Sequence, residues 1–199
     1  MAAEEQHEGP PTARQLDHPS ASALADLAAI FEELKVVLGC CEQLLTEVGK
    51  GENASQVTVE GLWTTALLCY HRCFNEGKRG QGLTEQDLAE TGLEGELVEW
   101  HRMLGRMREH FIDQAKNPRE VFTVGVTQNA DGTPSGVAIM STVSPELDEL
   151  TVRQTGGIAY ALSQLVDRRI KNQQEVVLSA AQKMGAAGLN KLPEVELTT

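Results

Sequence analysis

Two short stretches in the middle of the chain hold residues whose types and spacing could do chemistry. The first is Tyr70-His71-Arg72-Cys73-Phe74, followed by Gly77 and Arg79. Tyr70 and Phe74 stand one helical turn apart and share a face, while Arg72 projects toward a helix edge. His71 reads as an exposed or groove histidine. The second stretch holds Arg102, Arg106 and Arg108, then His110, Gln114, Asn117 and Glu120. Arg108 and Gln114 border the apolar stripe of their helix, where it meets its neighbours. An arginine on such a border can hold a phosphate through two parallel hydrogen bonds. Histidine titrates near neutrality and suits proton transfer, whereas glutamine can only donate and accept hydrogen bonds. The plainer reading of these arginines is structural. Arg102 and Arg106 have Glu99 and Glu109 three or four residues away and read as solvated ion-pair partners. Arg108 has the option of bridging to an acid on the preceding long helix, and spacing alone favours a structural role.

The elements that position these residues follow from periodicity. Leu24, Leu27, Ile30, Phe31, Leu34, Leu38, Cys41, Leu45 and Val48 recur at threes and fours, which predicts a first helix from Ser20 or Ser22 to about Val48. Trp63, Ala66, Leu67, Tyr70, Cys73 and Phe74 mark a second helix over about 58–76. Thr84 with Asp87 three residues on is an N-cap signal for a short helical turn. Leu97, Trp100, Leu104, Met107 and Phe111 form the stripe of a helix over about 94–115, which Asn117-Pro118 should end. The period then changes. Residues 121–126 and 136–143 flank the turn chemistry of Asn129-Ala130-Asp131-Gly132 and predict a β-hairpin. Ser144-Pro145-Glu146 should open the last helix and Gly156-Gly157 should interrupt or bend it. The expected fold class is mainly α: a bundle of about four main helices with one β-hairpin before the C-terminal helix. One domain over 20–185 lies between an acidic, mobile tail at 1–19 and a C-terminal tail at 186–199. Six of the eight aromatic side chains fall between Trp63 and Phe122, which places the dense core on the two central helices and the hairpin start.

Residues 66–79, ALLCYHRCFNEGKR, resemble the first signature of a bacterial group of HEPN-like helical proteins, in which Tyr, Arg and Phe alternate before Gly and Arg. Residues 107–120, MREHFIDQAKNPRE, resemble their second signature, an arginine followed by histidine and then by Asn and Glu. Arg108 matches the arginine, Asn117 the asparagine and Glu120 the glutamate, while the family's histidine falls on Gln114. The resemblance spans about 55 residues. It implies a helical bundle that forms a homodimer and brings two Arg and His pairs into one cleft. In active members those residues cleave RNA without a metal, with histidine as general base or acid. Gln114 cannot take that part. The resemblance therefore implies impaired catalysis and a binding role, toward RNA, a nucleotide or a protein partner. The cleft would be edged by Arg72, Arg108 and Gln114, with Tyr70, Arg79, Asn117 and Glu120 as further binding residues. Two rival readings stand beside it: a helical protein–protein interaction or regulatory protein, and a metal-independent ribonuclease that recruits His110.

Charge and composition bound these readings. The chain has 199 residues with 29 acids against 17 Lys and Arg, a net charge of −12. That excludes a broad nucleic-acid surface. Residues 1–60 account for −8 of it, with 11 acids and 3 bases. Between His101 and Glu120 there are 5 Lys and Arg against 3 acids, so a small anion site there is allowed. No apolar run approaches a membrane span, and residues 1–8 lack the pattern of a signal peptide, which points to the cytosol. Cys40, Cys41, Cys69 and Cys73 then read as reduced thiols buried in the bundle rather than metal ligands. Neither metal nor cofactor is implied, since the common phosphate-loop, dinucleotide, zinc and serine-hydrolase motifs are missing.

Overall fold

The computed structural model describes residues 13–74, 80–143 and 146–195. Gly77 and Arg79 of the first motif, and Ser144-Pro145, lie outside these residues. Five α-helices and an antiparallel hairpin make up most of the described chain, so the fold is mainly α.

Strand β1 (Ala13–Arg14) is followed by helix α1 (Pro19–Val48). His18 caps α1: its Nδ1 accepts from the Ser20 amide at 3.2 Å, and Pro19 supplies a preset φ in the first turn. Leu27, Ile30, Leu34, Val37, Cys41 and Leu44 are buried at threes and fours, one continuous face over the length of the helix. At its end the buried Glu47 carboxylate accepts from the Ser55 amide at 2.7 Å and pairs with Lys50. The Lys50 and Ser55 hydrogen bonds hold its pKa below the usual carboxylate value. One turn of 3-10 helix intervenes (Gly51–Asn53), with Gly51 at a φ of +57°. Ser55 then caps α2 (Gln56–Cys73) by accepting from the Thr58 amide. The Glu47–Ser55 bond therefore fixes the angle at which α2 folds back on α1.

Helix α3 (Glu85–Glu90) starts at the expected signal, with Asp87 accepting from the Thr84 amide at 2.6 Å. Helix α4 (Leu97–Ile112) stops five residues before Asn117, short of the expected end. The cause is local. Asp113 is extended and its carboxylate accepts from the Ala115 amide at 2.9 Å, an Asx turn that competes with further helix.

Strands β2 (Glu120–Gln128) and β3 (Pro134–Val143) form the hairpin, in register from Glu120↔Val143 to Val126↔Val137. Asp131 accepts from the Thr133 amide and Gly132 takes a φ of +84°, as the turn residues promise. Helix α5 (Glu149–Leu189) begins one residue after its cap Asp148, which accepts from the Thr151 amide at 2.8 Å. Strand β4 (Glu194–Val195) pairs antiparallel with β1, and Arg14 bridges to Glu194 at 3.3 Å. Both termini were read as tails; residues 13–14 and 194–195 instead hold paired backbone.

Helix α1 lies between α2 and α5, and these three helices supply nearly all of the buried apolar side chains. Gln173 on α5 donates to the Ser20 carbonyl at 2.9 Å, while Gly156 sits against Cys41, so α5 runs antiparallel to α1. Two expectations need correction. The dense core includes the α2 aromatics Trp63 and Tyr70 but not α4 or the hairpin start: α4 contributes only Leu104 as a fully buried residue, and Phe122 is exposed. Aromatic count marks side-chain size, and burial follows the continuous α1 face instead. Nor does Gly156-Gly157 bend α5, which stays helical until Gly185 takes a φ of +66°. Gly156 lies at the α1–α5 contact, where a Cβ would meet the Cys41 Cβ at 3.5 Å.

That distance is ordinary van der Waals contact, so one methyl fits and a branched side chain does not. Gly156→Ala should raise stability by up to about 1 kcal/mol through helix propensity. Gly156→Leu should lower it by about 1–3 kcal/mol through overpacking. Urea denaturation midpoints of the two variants check the opposite signs.

Candidate functional site

Helices α2 and α4 bring together a cluster of aromatic rings, two histidines and an arginine. Tyr70 is fully buried, and its hydroxyl lies 3.2 Å from His101 Nδ1. Phe74 packs on the His101 ring with centroids 4.3 Å apart, and His71 lies 5.5 Å from the same ring. His71 packs against α4 at Gly105, where a Cβ would stand 3.5 Å from the imidazole Cε1, an ordinary van der Waals contact. One turn below, Arg108 comes close enough to His71 to influence its titration. His71 Nε2 and Arg108 Nε are both buried without a hydrogen-bond partner, whereas buried polar atoms are normally satisfied.

The electrostatics follow from this packing. Burial, and after it the Arg108 and His101 charges, push the His71 pKa from 6.5 down to about 4, against a weaker pull from the Leu104 carbonyl and Glu109. Burial lowers His101 as well. His71 is therefore a neutral imidazole at physiological pH, beside a permanent cation. Such a pair can donate from the guanidinium and accept at a ring nitrogen, which suits a phosphodiester with its neighbouring hydroxyl. As a proton acceptor His71 is weak, because its pKa lies far below neutrality.

The residues singled out by sequence take varied positions. Arg108 is half-buried at the edge of the cluster and pairs with its neighbour Glu109. Tyr70 is a buried member of the cluster. Arg72 turns away from it, toward α1, where it meets Glu33 at 3.6 Å. Arg79 lies outside the described residues. Gln114 does not continue the helical stripe; it is exposed in the turn beyond α4, because the helix ends at Ile112. His110 is exposed and its Nε2 donates to the Pro118 carbonyl at 3.1 Å, a tether for the loop. Asn117 is a loop-forming residue that accepts from the Arg119 amide at 2.9 Å. Glu120 opens β2 opposite Val143. Arg119, not counted as a site residue, joins this loop to Glu60 of α2 at 2.5–2.7 Å. His101 and the place of His71 were missed. The available signal was that His101 stands three residues before the stripe residue Leu104 and Trp100 four before it, both offsets that return to one helix face.

Arg102 pairs with Glu85 and Glu99 as a solvated helix arginine should. Arg106 does not: among the described residues it has no ion-pair partner, and it lines a cleft of about 520 Å³. Leu97, Trp100, Met103, Gly157 and Ile158 form much of the wall. The missing side chain at Gly157 leaves this space open, a second reason for the paired glycines.

All four cysteines are free and buried, and burial pushes Cys41 and Cys69 up to about 12, so they stay thiols. Among the described residues no group of three His, Cys, Asp or Glu could hold a metal ion, and no helix is long and apolar enough to cross a membrane.

Fold and site together define a mainly helical bundle with a hairpin and a His–Arg cluster between α2 and α4. No family model, curated protein or solved structure matches the chain.

His71 gives the cluster a pH signature. Its folded pKa is about 4 and its ordinary value 6.5, so the unfolded chain binds the proton more readily between those values. The stability associated with neutral His71 is present above pH 6.5 and is lost as pH falls toward 4. The denaturation midpoint of the natural protein should therefore fall more steeply across that window than that of His71→Gln. Parallel curves would contradict the assignment.

Proposed function

We propose that this chain is a HEPN-like helical domain that binds single-stranded RNA through phosphate at the α2–α4 edge and does not cleave it. The observation that carries this reading is the pairing of a neutral His71 with Arg108, each with a buried nitrogen lacking a partner. Arg108 gives up little to take a phosphate, since its exposed pair with Glu109 contributes about 0–1 kcal/mol. The rings of Phe74 and His101 lie beside the cluster and offer a surface for a base. Cleavage needs a proton acceptor near neutrality. Gln114 does not titrate, His71 is held too low, and His110 is engaged with the loop carbonyl. The ribonuclease reading that recruits His110 is thus the least favoured.

A second reading has its own support. Arg72, Arg102 and Arg119 are each held by acids of the same chain, which lowers the positive potential around the cluster. That favours a helical interaction protein whose ligand is another protein, with the motif residues structural.

A gel-shift titration with single-stranded RNA separates the two. RNA binding should weaken steeply as salt rises. Arg108→Ala should abolish the shift while leaving the melting temperature nearly unchanged, and Arg108→Lys should retain part of it. No shift by the natural protein at low salt would remove the RNA reading. An Arg108→Ala chain that unfolds would make Arg108 structural. RNA shortened by the natural protein and spared by His110→Ala would restore the ribonuclease.

A further inference from the structure

The hairpin is the part of the fold that neither the core nor the His–Arg cluster explains. The register divides its side chains between two faces. Phe122, Val124 and Val126 of β2 share one face with Val143, Ile139 and Val137 of β3, since these residues stand opposite Ser141, Ile139, Val137 and Glu120 across the ladder. Phe122 is 55% exposed, and Val124, Val126, Val137, Ile139 and Val143 are 64–72% exposed. A half-buried antiparallel sheet would turn such a row toward the core and put polar residues outside. Here the apolar row is exposed, and so is the other face, which holds mostly small and hydroxyl residues with Val121 and Met140, 65% and 54% exposed.

Charge sharpens the point. The chain carries −12, yet residues 121–143 contain a single charged residue, Asp131, at the turn. An isolated two-stranded hairpin is marginal in water, and its edges and faces call for cover. The six outward side chains expose on the order of 600 Å² of apolar surface, at the upper limit for the largest patch of a monomer. With its rim the face reaches about the 800 Å² that each partner contributes to a standard interface.

We infer that this hairpin face is a self-association surface, covered by the same face of a second copy of the chain. Two features select a second copy. The row is free of charge, so two copies related by a twofold axis meet apolar against apolar, with nothing needing an opposite charge. Its two acids lie at the ends, Glu120 at the open end of the same face and Asp131 at the turn, so the length between them is a stretch along which two chains of −12 each meet no acid. The joint lies at the hairpin, not at the helix-lined cleft that the resemblance implies, and the inference does not depend on RNA binding.

Sedimentation equilibrium of the full chain tests it. The natural protein should be a dimer at micromolar concentration, and the dimer should tighten as salt screens the repulsion between acidic bodies. This is the opposite of the salt dependence of RNA binding. Val124→Glu combined with Ile139→Glu, and separately Val137→Glu, should each give a monomer. Circular dichroism should show the helices intact, since these side chains lie outside the core. Val121→Thr with Met140→Thr, on the other face, should leave the dimer unchanged. A natural protein that is monomeric at tens of micromolar overturns the inference. So does a dimer that survives both sets of glutamates, or one that dissociates only when the Val121 and Met140 face is altered.

Discussion

The structure depends on one shared surface, the apolar face of α1. Helix α2 covers one side of it and α5 the other, so a single row from Leu27 to Leu44 is common to two interfaces. Its neighbours lie close: Gly156 of α5 lies against Cys41, and the Cys73 thiol reaches toward the Ile30 carbonyl at 3.8 Å. Burial of apolar area is the principal driving force, and a face shared between two neighbours makes their docking interdependent. The four thiols are small enough to sit in this sandwich, which explains their place better than any redox or metal chemistry.

Polar contacts then set angles that apolar packing leaves free. Glu47 reaches from the end of α1 to the start of α2, and Asp87 of α3 is paired with Arg169 of α5. Arg119 ties the loop after α4 back to Glu60 of α2. Held this way, α4 rests on the outer side of α2 and not in the core. This explains why its stripe is only partly buried and why the groove between them has room for two histidines and an arginine. The His–Arg cluster is thus a feature of a helix docked at the edge of the bundle, where a polar group can be desolvated without being fully enclosed.

The acidic charge and the apolar hairpin are complementary features of the same design. The helical body carries nearly all the ionised groups, whose repulsion keeps copies apart over most of the surface. The hairpin projects a charge-free surface from that body. The self-association inferred for the hairpin would confine contact between copies to this one place.

How much of this was legible in the sequence varied with the range of the interaction. The long helices, the Thr84–Asp87 cap and the hairpin turn depend on neighbours within a few residues, and periodicity and turn chemistry exposed them. The end of α4 is also local, set by the Asx turn at Asp113 and not by the more conspicuous Asn117-Pro118. The site was legible only as a set of residue types. Arg108 and Tyr70 were marked, yet the partner that changes their chemistry is His71, brought against α4 by helix packing, and Gln114 left the helical stripe when the helix ended early. The role of Gly156-Gly157 required the α1–α5 contact, since a glycine pair looks the same whether it bends a helix or admits a neighbour. The sequence by itself determined which segments are helix, strand and turn, because those states are set by local backbone and side-chain sterics. Only the tertiary structure decided which apolar rows are covered and which titratable groups lose their water, because burial belongs to the packing of distant segments and to no residue alone.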